Sequence, residues 1–145
     1  LPITKDEVGM AVVMGHEVAH AVARHGNERM SQGIIAQGAG MTLDILTSEN
    51  PGLARDLLMQ SVGIGSQLGM LAYSRSHETE ADKMGLIFMA MAGYDPREAP
   101  AFWERMSAGA NGQAPPELLS THPNDQRRIN DLNAYMDEAL KYYKP

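Results

Sequence analysis

Apolar residues recur along this chain at intervals of three and four, the period of an α-helix, and no stretch alternates as a strand requires. The first such run carries Val8, Ala11, Val12, Gly15, Val18, Ala19, Val22 and Ala23. Thr4 and Glu7 stand before it at capping-box spacing, and Asp6 suits the positive end of a helix. Gly26-Asn27, after His25, reads as its stop. Small Gly15 and Ala19 predict close packing against another helix. A second helix is predicted from Glu28 to about Leu46 on Met30, Ile34, Ile35, Met41, Leu43 and Ile45. Gly33, Gly38 and Gly40 work against it at roughly 1 kcal/mol each. The turn chemistry of Thr47-Ser48-Glu49-Asn50-Pro51-Gly52 separates it from a third helix, roughly Leu53 to Tyr73, carrying Leu57, Leu58, Val62, Ile64, Leu68 and Leu71.

Ser76 is placed to cap a fourth helix running to about Ala92. Gly93-Tyr94-Asp95-Pro96 ends it and opens a fifth, with Asp95 as N-cap, Pro96 at the first helical position, and Phe102, Trp103 and Met106 as apolar anchors. Gly109 to Thr121 reads as a loop, long enough to serve as a lid. The last helix is predicted from near Pro123 to about Tyr142, with Ile129, Leu132, Tyr135, Met136 and Leu140 inward. The expectation is a mainly α fold in a single domain over residues 1–145.

Composition narrows the function classes. A net charge of -6, with no basic cluster beyond Arg127-Arg128, argues against nucleic acid as a partner. With no cysteine, disulfides and thiolate ligands are excluded, so any metal must rest on histidine and carboxylate. No apolar run approaches the roughly 20 residues of a membrane helix. The frequent methionines, such as Met84, Met89, Met91 and Met106, fit core packing better than an adaptable peptide groove. The chain opens on Leu1-Pro2 rather than Met, which suggests a fragment or processed product whose targeting segment lies out of view.

Within the first helix stands His16-Glu17-Val18-Ala19-His20. Two histidines four residues apart lie about 40° apart on one helix face and can share one Zn²⁺. Glu17 projects beside them as a candidate general base. Catalytic zinc takes a third protein ligand, and the best source is Ser74-Arg75-Ser76-His77-Glu78-Thr79-Glu80-Ala81-Asp82. Glu78 and Asp82 share a helix face, so one can bind metal while the other orients a ligand imidazole. Spacing alone leaves Glu80 open as the ligand.

These motifs, with Arg24-His25-Gly26, Tyr73-Ser74-Arg75, Gly85, Ala92-Gly93-Tyr94-Asp95-Pro96 and Ser120-Thr121-His122-Pro123, occur in one order through nearly the whole chain. In this the chain resembles the zinc metallopeptidases of the CaaX prenyl endopeptidase and HtpX family, in particular the soluble BepA-like or OMA-type branch. The resemblance implies a zincin-like (gluzincin) helical core and a zinc endopeptidase that works through a metal-activated water. It implies His16, His20 and Glu78 as ligands of one Zn²⁺, Glu17 as catalytic base, and Asp82 as support for a zinc histidine. His122 matches a family histidine near the metal, acting on the carbonyl oxygen or as a closing fourth ligand. His25 and His77 read as structural or surface residues, and Arg75, Arg127 or Arg128 could orient a carboxylate. Relatives carry strands ahead of Leu1-Pro2-Ile3-Thr4 that this chain lacks, so truncation at the N-terminus is expected. The implied partners are polypeptides, including misfolded envelope proteins, in a periplasmic or envelope setting; the alternative is the mitochondrial intermembrane space. Two other readings stand beside this one. They are a latent or chaperone-like metal-bearing module that binds misfolded proteins, and a metal-free helical interaction domain.

Overall fold

The computed structural model describes residues 4–49, 51–109, 122 and 126–144. Five helices lie among them: α1 (Glu7–Val22), α2 (His25–Thr47), α3 (Leu53–Met91), α4 (Glu98–Gly109) and α5 (Gln126–Leu140). No strand occurs among the described residues, so the mainly α expectation holds. The chain forms two compact units: Leu1–Ala23 with Glu78–Pro145, and Arg24–His77.

The first unit holds the core. Val12 of α1, Leu86 and Met89 of α3, Phe102 and Trp103 of α4, and Ile129 and Leu132 of α5 bury one another. α1 and α3 cross at Gly15 and Gly85, where a Cβ on Gly15 would stand 2.8 Å from the Gly85 carbonyl oxygen. The close approach foreseen from Gly15 and Ala19 is therefore made to α3, and Ala19 is fully buried. Val18 and Val22, expected on the apolar side, are 44 % and 59 % exposed. The buried stripe runs instead through Gly9, Val12, Gly15, His16 and Ala19.

Several boundaries differ from the sequence expectation. Asp6, not Thr4, caps α1: its side chain accepts from the Gly9 N–H at 2.7 Å. α1 ends before Gly26, because Arg24 turns the chain with a left-handed φ of 59°. Its carbonyl oxygen then accepts from the Asn27 and Glu28 amides and starts α2. The third and fourth predicted helices are one. Tyr73 to His77 contain neither glycine nor proline, so nothing interrupts the backbone ladder and Ser76 caps nothing. α3 ends as foreseen at Gly93 (φ 89°), with Tyr94 N–H bonded to Met89 O and Gly93 N–H to Ala90 O, a Schellman pairing. Asp95 accepts from the Arg97 amide, and the helix proper begins at Glu98. The start expected near Pro123 and the 110–121 part of the expected loop lie outside the described residues.

The second unit is a helical hairpin of α2 and the first part of α3. At its open end Tyr73 donates to Glu28 at 2.8 Å, and His77 Nε2 lies 2.9 Å from the same carboxylate. The His25 and His77 rings stack at 4.1 Å, both buried, so these histidines are structural rather than surface residues.

Candidate metal centre

Four side chains converge within the first unit. α1 presents His16 and His20 from successive turns of one face. α3 presents Glu78 where it passes α1, and His122 lies ahead of α5. His16 Nε2 is 3.1 Å from His20 Nε2, 3.2 Å from His122 Nδ1 and 3.2 Å from Glu78 Oε2. Glu78 Oε1 stands 3.3 Å from His20 Nε2 and 3.0 Å from His122 Nδ1. One donor atom from each residue fits within 4.8 Å of all the others.

These separations carry chemical information. A tetrahedron of metal–ligand bonds about 2.0–2.1 Å long has edges of about 3.3 Å, close to the spacing of the donor atoms here. The polarity of the set points the same way. His16 Nδ1 lies 3.0 Å from Asp82 Oδ1, which favours the tautomer with its proton on Nδ1. The Nε2 lone pair then faces another imidazole nitrogen and a carboxylate oxygen. Three imidazoles and a carboxylate turned toward one point form a donor set that fits a metal ion.

Asp82 is itself held. Arg128 of α5 grips it with two bonds of 2.7 Å, from Nε to Oδ2 and from Nη2 to Oδ1. The same guanidinium reaches Glu78 Oε2 at 3.4 Å and the His122 carbonyl oxygen at 3.3 Å, and it lies over the Trp103 ring at 4.6 Å. Trp103 also meets the His16 ring edge-on, with centroids 5.5 Å apart. The site is thus backed by a buried arginine and a buried indole, both only a few per cent exposed.

The electrostatics follow from this crowding. Burial pushes the Glu78 carboxyl up, but His122, His16 and His20 outweigh it and hold it well below the usual carboxylate range. Burial also raises Asp82, and its contacts with His16 and Arg128 reverse the sign. Burial disfavours the charged form of His16, yet Asp82 and Glu78 prevail and raise it.

Every site residue read from the sequence except Glu17 has its side chain in this cluster or directly behind it. Glu17 is half-exposed at the rim, with Oε1 3.3 Å from His122 Nε2. Glu80, left open by spacing, is exposed, whereas Glu78 is buried at the convergence point. Of the three candidate arginines, Arg128 orients the carboxylates. Arg127 faces Asp131 and Thr79 at the surface, and Arg75 is exposed. Trp103 was read only as an apolar anchor, since nothing in its spacing links α4 to the histidines.

Residues 1–136 match the profile of Peptidase family M48. The mitochondrial metalloendopeptidase OMA1 of Schizosaccharomyces pombe is 38% identical over 141 residues, covering 96% of this chain and 40% of that protein. OMA1 of Homo sapiens is 36% identical over 138 residues, 91% of this chain and 26% of that protein. The beta-barrel assembly-enhancing protease of Escherichia coli is 31% identical over 133 residues, 87% of this chain and 27% of that protein. The chain therefore spans about two fifths or less of the length of these relatives. No solved structure matches it significantly. With its helical core, its four-residue metal-competent cluster and a family match over nearly its whole length, the chain belongs to peptidase family M48.

Proposed function

We propose that residues 1–145 form the catalytic domain of a zinc-dependent endopeptidase, with His16, His20 and Glu78 as the metal ligands and Glu17 as the general base. The observation that carries this reading is the convergence of His16 Nε2, His20 Nε2 and Glu78 at 3.1–3.3 Å, with Asp82 directly behind His16. Two imidazoles and a carboxylate are a donor set suited to zinc. Zinc held there would supply Lewis acidity toward a peptide carbonyl and lower the pKa of an attacking water.

The protein residues supply the rest. Asp82 and Arg128 fix the His16 ring, so Nε2 is offered as an acceptor in one orientation. Glu17, half-exposed beside the cluster, takes the proton from the attacking water and hands it to the leaving amine. His122, between Glu17 and Glu78, stabilises the developing oxyanion when turned from the ligand position. The substrates are polypeptides. We place it in protein quality control at a cell envelope, in the periplasm, with the mitochondrial intermembrane space as the alternative setting, a reading in keeping with relatives named as a beta-barrel assembly-enhancing protease and a mitochondrial metalloendopeptidase.

One observation favours a second reading, a latent or chaperone-like module. His122 Nδ1 lies as close to Glu78 as the other imidazoles do, which makes four protein donors and leaves no place for water. One comparison separates the two. Purified chain is assayed for bound zinc and for cleavage of an unfolded protein, as wild type, Glu17→Gln and His122→Ala. The peptidase reading requires Glu17→Gln to keep zinc and lose cleavage by about 10²-fold or more. Wild-type cleavage by Glu17→Gln would overturn it, and zinc-loaded protein inactive in every form would favour the module.

A further inference from the structure

The hairpin of residues 24–77 carries its large side chains on the outside. Along the shaft of α2 the least exposed positions are Gly33, Ala36, Gly40 and Leu43; on α3 they include Val62 and Ser66. The outer side of α2 bears Met30, Ile34, Met41 and Ile45, within about 60° of arc. That of α3 bears Leu53, Leu57, Ile64 and Leu68 at the same spacing. These eight side chains are 52–75 % exposed. With their neighbours they leave on the order of 1,000 Å² of apolar surface uncovered, shared between the two helices.

Charge is distributed to match. Residues 30–43 and 57–72 contain no Asp, Glu, Lys or Arg, so no side of either shaft carries a charge. The charges stand at the two ends: Arg24, Glu28, Arg29 and Arg75 at the open end, all exposed, and Asp44, Glu49, Arg55 and Asp56 at the turn. Fourteen and sixteen helical residues measure about 21 and 24 Å, short of the roughly 30 Å hydrocarbon layer. No described helix is long and apolar enough to cross a membrane. A second copy of the chain would cover one side of each helix and leave the other to water, where helices ordinarily carry charge. A lipid interface accepts an uncharged shaft and leaves the charged ends at headgroup level, where Arg24, Arg29 and Arg75 can face phosphates.

We propose that this hairpin seats in the interfacial layer of a lipid membrane, both charged ends at headgroup level, without spanning it. The inference is independent of the peptidase reading. The absence of cysteine makes the test direct. Single variants Ile34→Cys and Ile64→Cys of the whole chain, labelled with a polarity-sensitive fluorophore, are mixed with vesicles of phosphatidylcholine, alone or with phosphatidylglycerol. Flotation, emission shift and quenching by acyl-chain nitroxides are read, together with sedimentation velocity without lipid. The chain should float with both vesicle types and resist a salt wash. Both labels should shift to the blue and be quenched. Ile34→Lys/Ile64→Lys should lower partitioning by about tenfold or more with helical content unchanged by circular dichroism. If that variant unfolds, Ile34→Ser/Ile64→Ser is read in its place, with a smaller loss in the same direction expected. Failure of wild type to float, absence of acyl-chain quenching, or a lipid-free dimer in which the labels are already shielded would overturn the proposal; the last result would assign the surface to a second copy.

Discussion

Asp82→Asn tests how the metal centre is held. The substitution keeps the shape of the side chain and removes its charge. In the wild type, Asp82 is 4% exposed, receives two 2.7 Å bonds from Arg128 and stands 3.0 Å from His16 Nδ1. Two effects should follow. The His16 imidazole loses the partner that fixes its tautomer, a change that ordinarily lowers metal affinity by about 10- to 100-fold, or about 1.4–2.7 kcal/mol. Arg128 is left without its main counter-charge, and breaking a buried pair costs about 3–5 kcal/mol. Here Glu78 at 3.4 Å and the His122 carbonyl at 3.3 Å still contact the guanidinium, so the lower end is expected. Zinc affinity by competition with a chromophoric chelator measures the first effect, and urea unfolding of metal-free protein the second. Arg128→Met on its own and combined with Asp82→Asn completes a cycle, in which the double variant should recover part of the stability and none of the zinc affinity. A folded Asp82→Asn chain that binds zinc within about twofold of wild type would refute the reasoning, because Asp82 would then not be orienting His16.

Gly15→Ala places a methyl group 2.8 Å from the Gly85 carbonyl, backbone against backbone, and should cost about 1–3 kcal/mol in chemical unfolding. Because the same crossing brings Glu78 to the histidines, zinc affinity should fall with it, whereas Gly63→Ala, with open space around it, should leave that affinity unchanged. pH should act on the metal-free and metal-loaded chains with opposite sign near neutrality. His16 is raised above 6.5, so its contribution to the metal-free fold is full below that value and is lost as pH rises through the folded pKa. Zinc requires neutral imidazole, so the difference in Tm between loaded and metal-free protein should widen between about pH 6 and 8. The depressed carboxyls of Glu78 and Asp82 contribute fully above their ordinary values, and that contribution fades only as pH falls through their lower folded values, visible as acid unfolding. His122→Ala removes one of four donors and should weaken zinc binding while leaving His16, His20 and Glu78 able to hold it, as metal analysis after dialysis would reveal.

The amino-acid sequence by itself determined what depends on local spacing. A four-residue interval on a helix sets His16 beside His20 whatever the rest of the chain does, and Glu78 and Asp82 share a face for the same reason. Gly93 marks the end of α3 because its φ of 89° suits a residue without a side chain. Family likeness then singled out Glu78 over Glu80. Local patterns failed where an interaction from elsewhere was needed to choose. Nothing in the run from Tyr73 to His77 distinguishes a helix start at Ser76 from the interior of a longer helix, and the chain continues. Arg24 ends α1 in a conformation that glycine would have advertised and arginine does not. Only the tertiary structure decided that Arg128, not Arg75 or Arg127, holds Asp82, and that Trp103 lies against His16. These contacts join residues 46 and 87 positions apart, and which partners meet across such distances is set by the packing of α1, α3, α4 and α5. Periodicity likewise identified the aliphatic stripes of α2 and early α3, but a stripe has the same sequence whether it faces a core or the outside; the fold leaves these exposed.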